Sequence, residues 1–347
     1  MESLKTDILS TQFNQDGSCF IIITSNGFRI YNTEPYKNSF EKIIPEGVHL
    51  YEMLFRTNIM AIVKKDNKTK VLIIDINQPD PIMELNIKQN IIAMKLRRDK
   101  IIISCIDKIF IYSIESFEIL DTIETSHNPK GTFGLSQSLE NTLIAFPDKK
   151  EGNIILKNYE KNIILTIEAH EKKVENISIT SNGDFLASCT QNGSVIRIFN
   201  TENGELLQEL RKGIDKSEIK CISFSYNNRL MACSTNKGIV HVFSLDPAFS
   251  KIVKKNDELG RQSEKPKNGV KNRKSIFNGI PVLFGKDFFH GEFSFAQIKF
   301  KGTDSVCVFG GEFLYIVGTN GKYYKVKVDL KKAGEYKIVQ KVHYMKE

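Results

Sequence analysis

No stretch of this 347-residue chain approaches the roughly 18 to 20 uninterrupted apolar residues that a membrane-spanning helix needs. The first residues, Met1-Glu2-Ser3-Leu4-Lys5-Thr6-Asp7, lack the apolar run of a secretory signal, so a cytosolic location is expected. CxxC pairs are missing as well. The six cysteines, Cys19, Cys105, Cys189, Cys221, Cys233 and Cys307, stand far apart and mostly in apolar, strand-like surroundings. That spacing argues against a metal centre or a disulfide framework and for reduced, buried thiols. Catalytic signatures are equally scarce: there is no GxSxG, no GxGxxG and no phosphate-loop GxxxxGK. His170-Glu171 comes nearest to HExxH but has Val174 where the second metal ligand would stand. Catalysis and a cofactor are therefore not expected. No long stretch keeps helical periodicity either, which turns attention to strands.

What the chain does contain is ample apolar material, 41% hydrophobic and 10% aromatic, enough for one large repeat fold or two ordinary domains. Its net charge of +8 is unevenly spread. Residues 251–274 hold nine basic residues against three acidic ones, which places most of the excess in one segment. That segment is poor in large apolar groups and rich in Asn, Ser and Gly, so it reads as a long loop. A sequence pI near 9.0 raises nucleic-acid binding as a rival. Aromatics do not alternate with the basic residues as a stacking platform would prefer, so no nucleic-acid partner is expected.

The rest of the chain repeats itself. Ile177-Ser178-Ile179-Thr180-Ser181-Asn182-Gly183 returns 45 positions later as Ile222-Ser223-Phe224-Ser225-Tyr226-Asn227-Asn228. Both copies run through a turn into a strand, Thr190-Gln191-Asn192-Gly193 before Val195 to Phe199, and Thr235-Asn236-Lys237-Gly238 before Val240 to Phe243. Thr24-Ser25-Asn26-Gly27 and Thr319-Asn320-Gly321 do the same near the two ends. Asn-Gly between runs of β-formers is a strong hairpin signal. Cys19 to Thr24, Val71 to Ile76, Ile101 to Ser104, Ile109 to Ser113 and Leu143 to Ala145 add further strands. Units of about 40 to 45 residues predict four-stranded propeller blades. Setting aside a loop of roughly 40 residues leaves about 305, hence about seven blades. The expected fold is all-β, a seven-bladed β-propeller of WD-type blades spanning 1–347, with 247–287 inserted in blade six.

Leu210-Arg211-Lys212-Gly213 puts two adjacent cations where a strand leaves its sheet. Consecutive strand residues face opposite sides, so Arg211 and Lys212 can serve two neighbouring pockets but not one.

Several motifs carry a family resemblance. Phe13-Asn14-Gln15-Asp16-Gly17-Ser18 followed by Gly27-Phe28-Arg29-Ile30-Tyr31-Asn32 resembles the first blade of the PROPPINs, the phosphoinositide-binding propellers of autophagy that include the WIPI proteins. Met53-Leu54-Phe55-Arg56, Leu96-Arg97-Arg98-Asp99, Ser126-His127-Asn128-Pro129 and Ala145-Phe146-Pro147 resemble the next blades in order. Leu210 to Gly213 stands where the family has Phe/Leu-Arg-Arg-Gly, and Phe288 to Ala296 resembles the strand that closes its sixth blade.

The resemblance implies two headgroup sites for phosphatidylinositol 3-phosphate and phosphatidylinositol 3,5-bisphosphate. The first would use His170, Ser188, Thr190, Ser194, Arg197 and Arg211, and the second Lys212, Ser234, Thr235, Lys237 and His241. Guanidinium forks and hydroxyl donors suit phosphate, which supports that choice. The same hydroxyls also suit the turn bonds that WD-type hairpins need, and both readings stand at this stage. Lys212 replaces a second Arg, Asn192 a Lys and Ile239 a Thr of many members, so the second site is expected to be the weaker. Lys251, Lys254, Lys255, Lys271, Arg273 and Lys274 would form a membrane-contact loop, with a solvated insert as the alternative. The resemblance further implies a monomeric, peripheral effector on autophagic, endosomal or vacuolar membranes. Its partners would be autophagy proteins, the large lipid-transfer protein among them, and a protein-binding scaffold without lipid function is the rival reading.

Overall fold

The computed structural model describes residues 7–191, 193–213, 217–245, 292–300, 304–329 and 334–345. Its strands form seven sheets arranged as the blades of a β-propeller. Blade one is Ile8–Phe13, Cys19–Thr24, Gly27–Thr33 and Tyr36–Ile43, each strand antiparallel to the one before. Blades two, three and four follow over 48–86, 93–124 and 134–168. Blade five contains Val174–Ile179, Phe185–Thr190, Val195–Asn200 and Leu206–Arg211, and blade seven contains Ser305–Gly310, Phe313–Gly318, Lys322–Val328 and Tyr336–His343. The predicted hairpins at 24–27, 190–195, 235–240 and 318–322 all fall between paired strands.

Burial follows position within a blade. The second strand has neighbours on both faces, and Cys19–Thr24 and Leu143–Pro147 are accordingly buried throughout. Their sequences read as unbroken apolar runs for that reason. Fourth strands cover only one face. In Ile163–Glu168 and Pro81–Asn86 exposed residues therefore dominate, with one buried anchor each, Ile167 and Leu85.

Blade six departs from simple succession. Ile219–Phe224, Leu230–Thr235 and Ile239–Ser244 are completed by Ala296–Lys299, which pairs antiparallel to the third strand. Before it, Glu292–Phe293 pairs in parallel with the outer strand of blade five, Leu210 opposite Glu292 and Arg211 opposite Phe293. The segment expected to close one blade thus serves two. Residues 246–291, which include residues 288–291 of that segment and the whole 247–287 insert, lie outside the described residues.

The ring closes between blades seven and one through side chains, since each of these blades uses its own four consecutive strands. Phe20 stacks on Tyr31 at 5.0 Å and on Tyr323 at 5.7 Å between ring centroids. The phenols find backbone acceptors: Tyr31 donates to Tyr344 O (3.2 Å), Tyr323 to Thr33 O (2.9 Å) and Tyr344 to Gly318 O (2.6 Å). Each buried hydroxyl is thereby satisfied while the rings supply the apolar area.

Candidate anion-binding rim between blades five and six

Strand geometry sorts the residues around Arg211. Glu209 and Arg211 are two apart and share one side of the outer strand, while Leu210 turns into the core and is fully buried. On the adjacent strand Arg197 stands opposite Glu209, and Ser188 stands opposite Arg197 one strand further in. One row of the blade face therefore carries Ser188, Arg197 and Glu209, with Arg211 beside it.

The contacts follow from that register. Glu209 Oε1 accepts from Arg211 Nη2 at 2.6 Å, and Glu209 Oε2 accepts from Arg197 Nε at 3.1 Å. Arg197 Nη1 also donates to Ala169 O at 2.7 Å, fixing the guanidinium against the backbone just before His170. His170 Nε2 lies 2.9 Å from Ser188 Oγ. Burial, reinforced by the Arg197 charge, lowers the His170 pKa to about 4, against smaller opposing effects of Ser188 and Glu209. His170 is thus neutral near pH 7. Thr190 ends its strand and Ser194 precedes the next, so both half-buried hydroxyls flank the hairpin turn.

On the other flank, Gly213 has φ +130°, a conformation that L side chains rarely adopt. The Lys212 side chain is buried, and its Nζ donates to Ser217 Oγ at 2.6 Å. Gly193, at φ +54°, closes over it: an added Cβ would lie 2.7 Å from Ser217 O and 3.3 Å from Lys212 Cε. His241 Nδ1 lies 3.2 Å from Ser294 Oγ, and burial together with the Lys212 charge lowers its pKa to about 4.

The two remaining second-flank hydroxyls bond within the fold. Ser234 Oγ donates to Ser305 O at 2.5 Å, across to blade seven. Thr235 Oγ1 donates to Ile239 O at 3.1 Å and accepts from Ile239 N at 3.4 Å, so it closes its own hairpin. Lys237 is exposed at the tip of that turn.

The structure therefore brings His170, Ser188, Arg197 and Arg211 into one cluster with Thr190 and Ser194 at its hairpin. On the second flank it joins Lys212 and His241, and it turns the Ser234 and Thr235 hydroxyls to backbone acceptors. Lys251, Lys254, Lys255, Lys271, Arg273 and Lys274 lie outside the described residues. Three contributors were absent from the sequence reading: Glu209, Ser217 and Ser294. Glu209 had a usable signal, because its two-residue spacing from Arg211 on a strand places both on one side. The separations of Ser294 from His241 by 53 residues and of the blade-five pairing segment from its strand left no local signal.

The propeller is of the PROPPIN class. Residues 8–345 match the PROPPIN family model, and the chain belongs to that family. Among curated relatives, Autophagy-related protein 18e of Arabidopsis thaliana is 30% identical, over 94% of this chain and 85% of its own length. Autophagy-related protein 18 of Dictyostelium discoideum is 27% identical over 98% of this chain and 94% of its own. Solved structures share the propeller. Kluyveromyces lactis Hsv2 superposes with a TM-score of 0.74 at 24% identity, covering 97% of this chain and 99% of that one. A structure of KlAtg21 in complex with the coiled coil of AgAtg16 gives a TM-score of 0.76 at 21% identity, with the same two coverages. The chain is thus an autophagy-related propeller of the PROPPIN type. Among the described residues, no helix is long and apolar enough to cross a membrane.

Proposed function

We propose that this protein is a non-catalytic effector that binds phosphatidylinositol 3-phosphate and phosphatidylinositol 3,5-bisphosphate at the two flanks of residues 210–213. The carrying observation is the cluster in which Glu209 holds the Arg197 and Arg211 guanidiniums beside His170 and Ser188. A phosphate entering there meets two guanidiniums already oriented by Glu209 and competes with that carboxylate for their N–H groups. Lys212 offers a second, point-like cation on the opposite side of the same strand end.

Two modest sites on one rigid rim act together, because the second engagement is intramolecular and raises avidity by about 10² to 10⁴. The propeller, read as one domain over 1–347 with 247–287 inserted in blade six, would add the basic residues of 251–274. Each Lys or Arg near an anionic surface gains about 1 kcal/mol. Such a peripheral protein works on autophagic, endosomal or vacuolar membranes and recruits autophagy proteins there as a monomer. The coiled-coil partner in the KlAtg21 structure supports a partner of that kind, alongside the lipid-transfer protein implied by resemblance.

The commitment of Ser234 and Thr235 to backbone acceptors favours one competing reading, a protein-binding scaffold with little lipid affinity. Liposome flotation decides between them. Wild type should float with vesicles containing phosphatidylinositol 3-phosphate and not with phosphatidylcholine vesicles, and the Arg211→Ala/Lys212→Ala double variant should stay behind. Equal flotation of the two proteins would overturn the lipid reading. Flotation on any anionic lipid would mark a nonspecific polycation, and unchanged flotation after deletion of 251–274 would remove that segment from the mechanism.

A further inference from the structure

Behind Ser234 of the second flank, the first strands of blades six and seven bring two thiols together. Cys221 on Ile219–Phe224 and Cys307 on Ser305–Gly310 have their Sγ atoms 3.5 Å apart. All six cysteines of the chain are free thiols. No local pattern links the two residues, which are 86 positions apart.

The surroundings of the two sulfurs are unequal. Cys221 Sγ accepts the backbone N–H of Cys307 at 3.1 Å and lies 3.1 Å from Ser234 Oγ. Cys221 stands opposite Ser234 in the blade-six ladder, and Ser234 in turn donates to Ser305 O of blade seven. Hydrogen bonding from Cys307 outweighs burial and holds the Cys221 pKa down to about 7. That same bond and burial push the Cys307 thiol well above its ordinary range. Cys221 is half-buried and Cys307 buried. The sulfur of the less buried residue is thus the one inclined to be thiolate, the nucleophilic form, and the other stays protonated beside it.

We propose that Cys221 and Cys307 are a hydroperoxide-sensitive modification site that closes into a disulfide joining blades six and seven. In the first step the Cys221 thiolate attacks one peroxide oxygen. An S–O bond forms, the O–O bond breaks, and the departing hydroxide takes up a proton to become water. In the second step the Cys307 sulfur attacks the Cys221 sulfenic sulfur. The S–S bond forms as the S–O bond breaks, and the hydroxyl leaves with the Cys307 proton as a second water. Two thiols lose two electrons, and one hydroperoxide is reduced to two waters, or to water and an alcohol when it is organic. The sulfurs need to approach from 3.5 Å to about 2.05 Å, a closure of roughly 1.5 Å between neighbouring inner strands. The product would staple the propeller across that blade boundary.

The test uses the full chain, reduced, desalted and exposed at pH 7.5 to a stoichiometric amount of hydrogen peroxide. Thiols are then counted by a maleimide gel shift in denaturant, and linked peptides are sought by mass spectrometry. The expected result is loss of two of the six thiols, a Cys221–Cys307 linked peptide, a higher Tm than the reduced protein, and full reversal by dithiothreitol. The Cys307→Ser variant should instead give a dimedone adduct at Cys221. Retention of all six thiols by wild type, or thiol loss without that linked peptide, would overturn the proposal. Because wild type carries the deciding measurement, a variant that fails to fold leaves the test intact, and no outcome depends on lipid binding.

Discussion

The two flanks of residues 210–213 hold their cations by different means. Arg211 is fixed by a carboxylate, Glu209, which also holds Arg197, so both guanidiniums are oriented before any ligand arrives. Lys212 donates instead to a hydroxyl, Ser217, beneath the turn at Gly193. The carboxylate gives up some of the positive field in exchange for a fixed fork. The hydroxyl leaves the ammonium its charge but supplies no planar, bidentate geometry. The histidines do not add to the contrast, because burial first, then the nearby cation, keeps each one neutral. Preorientation is therefore the property that separates the flanks.

If preorientation dominates, single substitutions should be unequal. Arg211→Ala removes a charge-assisted fork and strands Glu209 with one partner fewer, so binding to vesicles carrying phosphatidylinositol 3-phosphate should fall by about 10- to 100-fold, the equivalent of about 1.5–3 kcal/mol. Lys212→Ala should cost about 3- to 10-fold. Titrating each variant with vesicles of fixed composition measures both losses. Equal losses, or a larger one for Lys212→Ala, would reverse the ranking of the flanks.

A smaller effect probes the carboxylate alone. Glu209→Gln keeps an acceptor for Arg211 or Arg197 and removes the negative charge between them. Headgroup affinity should fall about 3- to 5-fold, because a single amide oxygen can orient only one of the two guanidiniums. The same substitution should lower Tm slightly, since the pair with Arg197 is partly solvated and worth under about 1 kcal/mol. A rise in affinity would show that the charge Glu209 offsets matters more than orienting the forks.

What could be read from the sequence divides along the same line, local against long-range. The Asn-Gly turns, the buried runs Cys19–Thr24 and Leu143–Pro147, and the period near 45 are local patterns, and each became the expected hairpin, strand or blade. The Arg211 and Lys212 divergence was also legible, because alternation along a strand is a two-residue rule. The Glu209 clamp on Arg197 was not read, although half of it lay two residues from Arg211. The sharing of 292–299 between two blades required knowing which edges were open, and pairing over a gap of about 80 residues leaves no periodic trace. Ser234 and Thr235 show why two readings stood side by side. Their hydroxyls matched a ligand motif, yet the nearest acceptors belong to Ser305 and Ile239 of the fold itself.

Titration should erase the contrast between the flanks. His170 and His241 both have folded-state pKa values near 4, against about 6.5 when unfolded. A lowered value means that the unfolded chain binds more protons through this window. Stability is therefore full above about pH 6.5 and falls as the pH drops toward 4, by about 2 kcal/mol per histidine between pH 7 and pH 5. Denaturant melts of wild type, His170→Gln and His241→Gln across that range measure the slope. Each variant should lose a similar share of the acid sensitivity, whatever its stability at pH 7. His170 faces Arg197 and Glu209, of opposite charge, whereas His241 faces the Lys212 cation, so a much larger change for His241→Gln would mean that charge rather than burial sets the histidine state. Equal changes would leave burial as the common cause and confine the difference between the flanks to how Arg211 and Lys212 are held.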